Sequence, residues 1–336
     1  MTVARVTQKT IAAKLGLSAS LVSRALSGKA ADIGCTPATV ERIRDTATRL
    51  GYLPSAAARR LRGGGGPLLG VVAADIADPF FAQVLAGVIR RGHERGCALA
   101  VAGFERRRIH QRDLALLLEQ DLSGLLLIGG GHEYEDAEVL RRGIPVVRIG
   151  AIAKRAAFAQ IGPNEDAGFR LLLNHLATLG HRDLGLVGAD QEVHRARLER
   201  VRALAPAYRM HIPPRHVVYG SDEVLKAGMD GGRRLLRQAG ANRPTAVVCS
   251  SDTVALGVIG AVRARGLRTP EDVSVTGFDD LLLSQLATPP LTTLHQPVAA
   301  FTEYALEALL DGHPLPRIKR FPVELMVRGS TGKVAS

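Results

Sequence analysis

Tryptophan is absent from this chain of 336 residues, aromatic residues make up only 4% of it, and cysteine occurs three times, as Cys35, Cys97 and Cys249. The three thiols lie far apart and match no metal-ligand spacing, a usage that fits a reducing compartment. No apolar run approaches the ~20 residues that a membrane-spanning helix requires. At the N-terminus Lys9, Lys14 and Arg24 interrupt every apolar stretch, so the core of an export signal does not form. A cytoplasmic protein not associated with a membrane is the expectation.

Catalytic patterns are missing as well. Gly129–Gly131 follow an apolar strand but fail the dinucleotide fingerprint, because Tyr134 stands where its third glycine belongs. Gly63–Gly66 are not followed by Gly-Lys-Ser/Thr, so they read as a flexible linker and not as a phosphate loop. His175 and His181 lack the i, i+4 spacing of a helical metal pair and read as structural or surface residues. Asp279 and Asp280 are adjacent on an extended end, so their side chains point apart and do not make a shared-proton dyad; a carboxylate accepting sugar hydroxyls is the better reading. No nucleophile, base and orienting group come together, which argues against an enzyme and leaves no cofactor or metal to expect.

What is present begins with charge. The net formal charge is +12, and Met1–Gly66 hold 11 Lys and Arg against 3 Asp and Glu, hence +8, while the remaining 33 against 29 give +4. A small basic segment on a nearly neutral body suits a nucleic-acid module; by itself it is equally compatible with a solvated surface. At 46% hydrophobic, the chain is long enough for two or more cores.

Within the basic segment, Thr7 can cap a helix whose stripe is Ile11, Ala12 and Leu15, and Gly16 permits a tight turn. Ser18 caps a second helix with Val22, Ala25 and Leu26 on one face and Ser20, Ser23, Arg24 and Ser27 on the other. Thr36 caps a third, with Pro37 at its first position, a stripe of Val40, Ile43, Ala47 and Leu50, and Gly51 at its end. This is either a helix-turn-helix or a generic three-helix bundle. The spare outer face of the second helix favours the former, because a groove ~12 Å wide excludes bulky side chains. Ser55–Arg62 has about two turns of Ala-rich helix, too short to be stable without a partner.

After Pro67 apolar strands alternate with amphipathic helices, which indicates parallel sheets covered on both faces. The run is too long for one sheet, so two consecutive doubly wound halves are expected, with a break near Ile161–Pro163. Ligands of such folds sit beyond the carboxyl ends of the strands, where Asp75, Ser250–Asp252 and Asp279–Asp280 lie. Arg148 near a strand end fits an anionic ligand and a surface edge position equally.

These residues resemble the LacI/GalR family of bacterial transcription repressors over nearly the whole chain. The likeness rests on Val6-Thr7, Leu15–Ser18 and Val22–Gly28; on Gly51–Pro54, Ala57–Arg59 and Leu61; on Asp75–Phe81; on Asn174–Arg182; and on Ser251–Gly257, Pro270–Asp280, Pro289–Thr293 and Glu324–Thr331. It implies an all-α helix-turn-helix headpiece over 1–54, a hinge helix and glycine linker over 55–67, and over 68–336 an α/β core like the periplasmic sugar-binding proteins. That core has two parallel-sheet lobes, the first about 68–161 and 292–320, the second about 162–291 and 321–331. The implied protein is a bacterial, nucleoid-associated homodimer on a pseudo-palindromic DNA operator, with a sugar or related effector bound between the lobes. Matching positions assign Ala19, Ser20 and Arg24 to base reading, and Thr7, Ser18 and Ser23 to phosphates or groove walls. Ala58 and Leu61 fall to a kinked minor groove, and Asp75, Phe80, Phe81, Arg197, Ser251 and Asp279 to the effector. The chain departs from the family pattern at Gly150, often Asp, at Ser251, often Asn, and at Arg200, usually Gly. No heptad repeat follows Val327, so a dimer is expected and not a tethered tetramer.

Overall fold

A computed structural model describes residues 6–27, 35–52, 66–103, 111–129, 139, 141, 143–152, 158–239, 242–314 and 316–334. The hinge segment 55–62 and most of the glycine linker lie outside them, as do Ala58, Leu61 and most of the loop before Thr36. Contacts divide the chain into two units, Met1–Gly66 and Pro67–Ser336.

In the first unit the expected helices are α1 (Gln8–Leu15), α2 (Ala19–Leu26) and α3 (Pro37–Arg49). Each starts on the anticipated cap: Thr7 forms a reciprocal box with Thr10, Ser18 Oγ accepts from the Leu21 amide at 3.2 Å, and Thr36 accepts from the Thr39 amide. Gly16, at φ 68°, makes the left-handed turn between α1 and α2, where a side chain would be strained. Ile11, Ala12, Val22, Ala25, Ile43 and Ala47 are the buried centre, drawn from all three helices. Six small or branched side chains bury little area, so this unit relies on its caps more than the larger one does.

The second unit holds, among its described residues, two six-stranded sheets. The first runs β11 (Ile318–Phe321), β5 (Ala159–Pro163), β4 (Val146–Ile149), β3 (Gly124–Ile128), β1 (Leu68–Ala73), β2 (Ala98–Gly103). The second runs β12 (Glu324–Met326), β10 (Thr292–His295), β9 (Ser274–Asp279), β8 (Ala246–Cys249), β6 (Leu184–Gly188), β7 (Val217–Tyr219). Only β12 is antiparallel to its neighbour. The central strands β1, β3, β6, β8 and β9 are buried throughout. Helices on both faces require this, and continuous apolar runs supply it.

Helix α4 (Pro79–Glu94) and α11 (Val298–Leu310) cover one face of the first sheet, and α5 (Gln111–Leu118) the other. The second sheet carries α6 (Glu165–Thr178) and α7 (Glu192–Leu204) on one face, and α8 (Val224–Ala239) and α9 (Asp252–Ala264) on the other. The short α10 (Leu282–Leu286) follows β9.

The lobe boundaries need correction. Strand β5 continues to Pro163 in the first sheet, so the chain crosses at Asn164 and not after Ile161. Residues 292–295, expected in the first lobe, pair in parallel with β9 and belong to the second. Phe321, expected in the second, closes β11 and packs its ring on Phe301 and Tyr304 of the first, with centroids 5.4 and 5.7 Å apart. Arg148 is corrected too. It lies on β4 between β3 and β5, buried and stacked on Phe158, so it is no surface edge residue.

Candidate functional site

The first unit has one face suited to a nucleic acid. Ser18, Ala19, Ser20, Arg24 and Ser27 are exposed and Ser23 is half-buried, while Val22 and Ala25 turn inward. An α-helix leaves its first amides without internal acceptors. Here Ser18 takes that of Leu21, so those of Ala19 and Ser20 remain, at the positive end of the helix dipole. The Ser18 hydroxyl accepts the capping bond and keeps its own proton to donate. Thr7, the exposed cap of α1, is engaged with Thr10. The face therefore offers amides, hydroxyls and one guanidinium with little bulk.

In the second unit the strands of both sheets end at the gap between the lobes. On the first side, Gly129 and Gly150 extend β3 and β4 with φ of 98° and 146°. A side chain at Gly129 would stand 2.9 Å from the Phe81 ring, so the ring lies directly on bare backbone. Phe80, the neighbouring aromatic, points into the first lobe's hydrophobic core and meets Phe81 edge-on at 5.8 Å. Asp75 is half-buried and accepts from the Ala77 amide at 2.9 Å. Asp78 caps α4 through the Phe80 amide at 2.9 Å.

On the second side Arg197 of α7 is the centre. Its Nε donates to Glu165 at 2.9 Å and its Nη1 to the Ser250 carbonyl at 2.8 Å, while the guanidinium stacks 3.9 Å from the Phe278 ring. Burial opposes this cation, but Glu165, Asp279 and Asp78 outweigh it and raise the pKa further above its ordinary value. Asp279 Oδ1 lies 3.8 Å from Arg197 and accepts from Gln296 Nε2 at 2.7 Å. Burial pushes the Asp279 carboxyl well above the usual carboxylate range, against the pull of Arg197 and with the help of Asp252 and Asp78. Asp78, from the opposite lobe, thus acts on both groups.

Asp279 and Asp280 both have positive φ, 125° and 58°. Two such residues in succession store strain where the chain leaves β9, a feature that concentrates at working sites. They send the two carboxylates apart, as expected: Asp280 goes to Arg328 at 2.6 Å and His295 at 3.0 Å. Ser251 caps α9 through the Val254 amide at 3.3 Å, with its hydroxyl proton left to donate. Asp252 is different. It is sealed inside, accepting from the Leu281 amide, Ser284 and Thr293, and it serves the fold and not the gap. His181 is likewise structural, joining Thr245 and the Gly332 carbonyl.

Arg197, Asp279 and Ser251 therefore meet in one wall, with Asp75 just past the end of β1 and Phe81 in the first turn of α4 in the other lobe, and Phe80 beneath its surface. Glu165, Gln296 and Asp78 completed this cluster without having been singled out. Asp78-Pro79 carried a readable helix-start signal, and Glu165 sits in a first helical turn, but neither pattern tells which cation it faces. Among the described residues no three metal-ligating side chains gather, and no helix is long and apolar enough to cross a membrane.

Residues 173–331 match the model of a periplasmic binding protein-like domain. The chain is 33% identical to the HTH-type transcriptional regulator reg1 of Streptomyces lividans, over 96% of this chain and 95% of that one. It is 30% identical to the ribose operon repressor of Haemophilus influenzae, over 91% of each. The solved structure of the lac repressor dimer bound to operator and the anti-inducer ONPF superposes with a TM-score of 0.81 at 25% identity, over 98% of this chain and 99% of that one. A capped helical headpiece with a spare polar face, two parallel-sheet lobes meeting at their strand ends, and full-length likeness to such regulators lead to one conclusion: the chain belongs to the LacI/GalR family of helix-turn-helix transcription regulators and is not an enzyme.

Proposed function

We propose that this regulator is a repressor working as a homodimer on a pseudo-palindromic operator, controlled by a sugar or sugar derivative bound between its lobes. One observation carries the effector half of this reading. Arg197 Nη2 and Asp279 Oδ2 have no hydrogen-bond partner among the described residues, and neither atom is sealed from solvent. A donor and an acceptor of this kind, beside the Ser251 hydroxyl proton, suit a ligand rich in hydroxyls. Phe81 supplies an apolar surface for a ring face. A thermal-shift screen of sugars, sugar phosphates and nucleobases on the full-length protein tests it; no stabilisation by any hydroxyl-rich ligand would refute it.

For the operator, Ala19, Ser20 and Arg24 are the proposed base readers, and Thr7, Ser18 and Ser23 the backbone contacts. Ala58 and Leu61 are assigned to the central minor-groove step on family resemblance, with 1–54, 55–67 and 68–336 as headpiece, hinge and core. Arg24→Ala should cost ~1–3 kcal/mol of operator affinity and relax the preference at one base pair. Gel shifts on a panel of single-base operator variants read this directly, and an equal loss on every sequence would reassign Arg24 to a phosphate. Leu282, Leu283 and Leu286 of α10 and Leu225 of α8 are more than half exposed in the single chain. Exposed apolar side chains of this kind suit the dimer contact. Leu286→Glu should shift the sedimentation of the protein from dimer to monomer.

A further inference from the structure

We propose that Arg200, acting through Glu165, is a positioning residue that keeps one nitrogen of Arg197 open to the effector. The inference rests on the reading above, in which Arg197 meets the ligand. Its origin is the way one carboxylate is shared between two arginines.

On a guanidinium, the Nε–H and one N–H of Nη2 lie side by side along a single edge, which a carboxylate takes with both oxygens when nothing prevents it. Glu165 takes only half of that edge. Its Oε1 is 2.9 Å from Arg197 Nε, while its Oε2 is turned to Arg200 Nη1 at 2.7 Å. Arg200 is itself fastened, its Nε lying 2.6 Å from Asp166 Oδ1. Glu165 and Asp166 occupy the first turn of α6, where the helix dipole favours negative charge. Arg197 has little freedom to turn, because Ser250 holds Nη1 and Phe278 covers its plane. The mobile choice belongs to Glu165.

Without Arg200, Glu165 Oε2 would lose its partner at a site only 12% exposed. A buried acceptor without a donor is costly. Nη2 of Arg197 is the donor adjoining on the same edge, and rotation of the carboxylate plane is a soft torsion. Glu165 would then bind Arg197 with both oxygens, closing the nitrogen that faces the ligand. Arg200 prevents this by competing for the second oxygen. The two arginines lie three residues apart on α7, so both reach the start of α6 from one helical face.

The test uses full-length protein and D-ribose as the probe, with titration calorimetry on wild type, R200A and R200A/E165Q. Glutamine at 165 keeps an oxygen for Arg197 Nε, but its amide nitrogen cannot accept from Nη2. R200A should raise the Kd about tenfold, and adding E165Q should bring it back to within about threefold of wild type. No loss in R200A, or a loss that E165Q fails to relieve, would overturn the proposal. In parallel, the side-chain 15N–1H spectrum of Arg197 should show averaged Nη2 protons in wild type and separate, slowly exchanging ones in R200A. An unchanged spectrum would also overturn it. Wild type that ignores ribose counts against ribose as effector, and the Arg197 spectrum still decides the role of Arg200. Should R200A fail to fold, R200Q, which retains the aliphatic stem, takes its place.

Discussion

In the first lobe the buried polar residues among those described are Arg148, Gln160 and Thr302; in the second they include His181, His194, Arg197, His216, Ser250, Ser251, Asp252, Asp279, Asp280, Ser284, Thr292 and Thr293. Yet the two sheets run in the same strand order, with two middle strands of each buried end to end. One architecture therefore carries two kinds of interior. The first lobe is held mainly by non-directional burial, which tolerates small displacements. The second is held in addition by hydrogen bonds with defined angles, which do not. Chemistry that must discriminate between similar ligands needs the second kind, and Arg197, Asp279 and Ser251 lie there.

The comparison can be broken most sharply with substitutions of matched type. Leu126→Ala and Leu186→Ala remove fully buried leucines from the first and second sheets. Each should cost ~3 kcal/mol in urea unfolding. Equal losses would confirm that the apolar halves are equivalent, and a large inequality would show that one lobe unfolds alone.

Polar substitutions should separate the lobes. Asp252→Ala leaves the Leu281 amide, Ser284 and Thr293 without their acceptor and should cost roughly 2–3 kcal/mol. Thr302→Val removes a hydroxyl that bonds only within its own helix, to the Ala299 carbonyl, and should cost under about 1 kcal/mol. Comparable losses would erase the distinction.

A smaller effect concerns pH. Burial lowers the pKa of His175, His181 and His216, all in the second lobe. Their folded values fall below the ~6.5 of an unfolded chain. The unfolded state therefore binds more protons as pH drops from ~6.5 towards the folded values, and stability is lost over that window. Asp279 and Asp252, raised by burial, work in the opposite sense. Urea midpoints between pH 7 and 5 should decline less steeply in His181→Gln than in wild type. Parallel slopes would remove His181 from the account.

Much of the fold was legible beforehand because it depends on neighbours in sequence. Thr7, Ser18 and Thr36 cap as read, since a cap needs only an amide three residues on. The apolar runs after Pro67 became β1–β4 and β6–β9, but β5 and the short polar strands β10, β11 and β12 did not stand out. Ile318-Lys-Arg-Phe321 carries no strand pattern of its own; pairing with β5 makes it one. Of the candidate effector residues, Arg197 and Asp279 lie 3.8 Å apart, whereas Phe80 faces the core and Ser251 doubles as a cap.

The order of residues, by itself, determined the helices with their caps, the small polar face of α2, the alternation that builds parallel sheets, and membership in a family. Those properties arise from groups a few positions apart. Only the tertiary structure decided that Asp252 is sealed in the fold while Asp279 reaches the gap, that Thr292–His295 join the second sheet, and that one glutamate divides itself between Arg197 and Arg200. Each depends on what burial and packing bring together from distant segments, and desolvation and hydrogen-bond partners are set there.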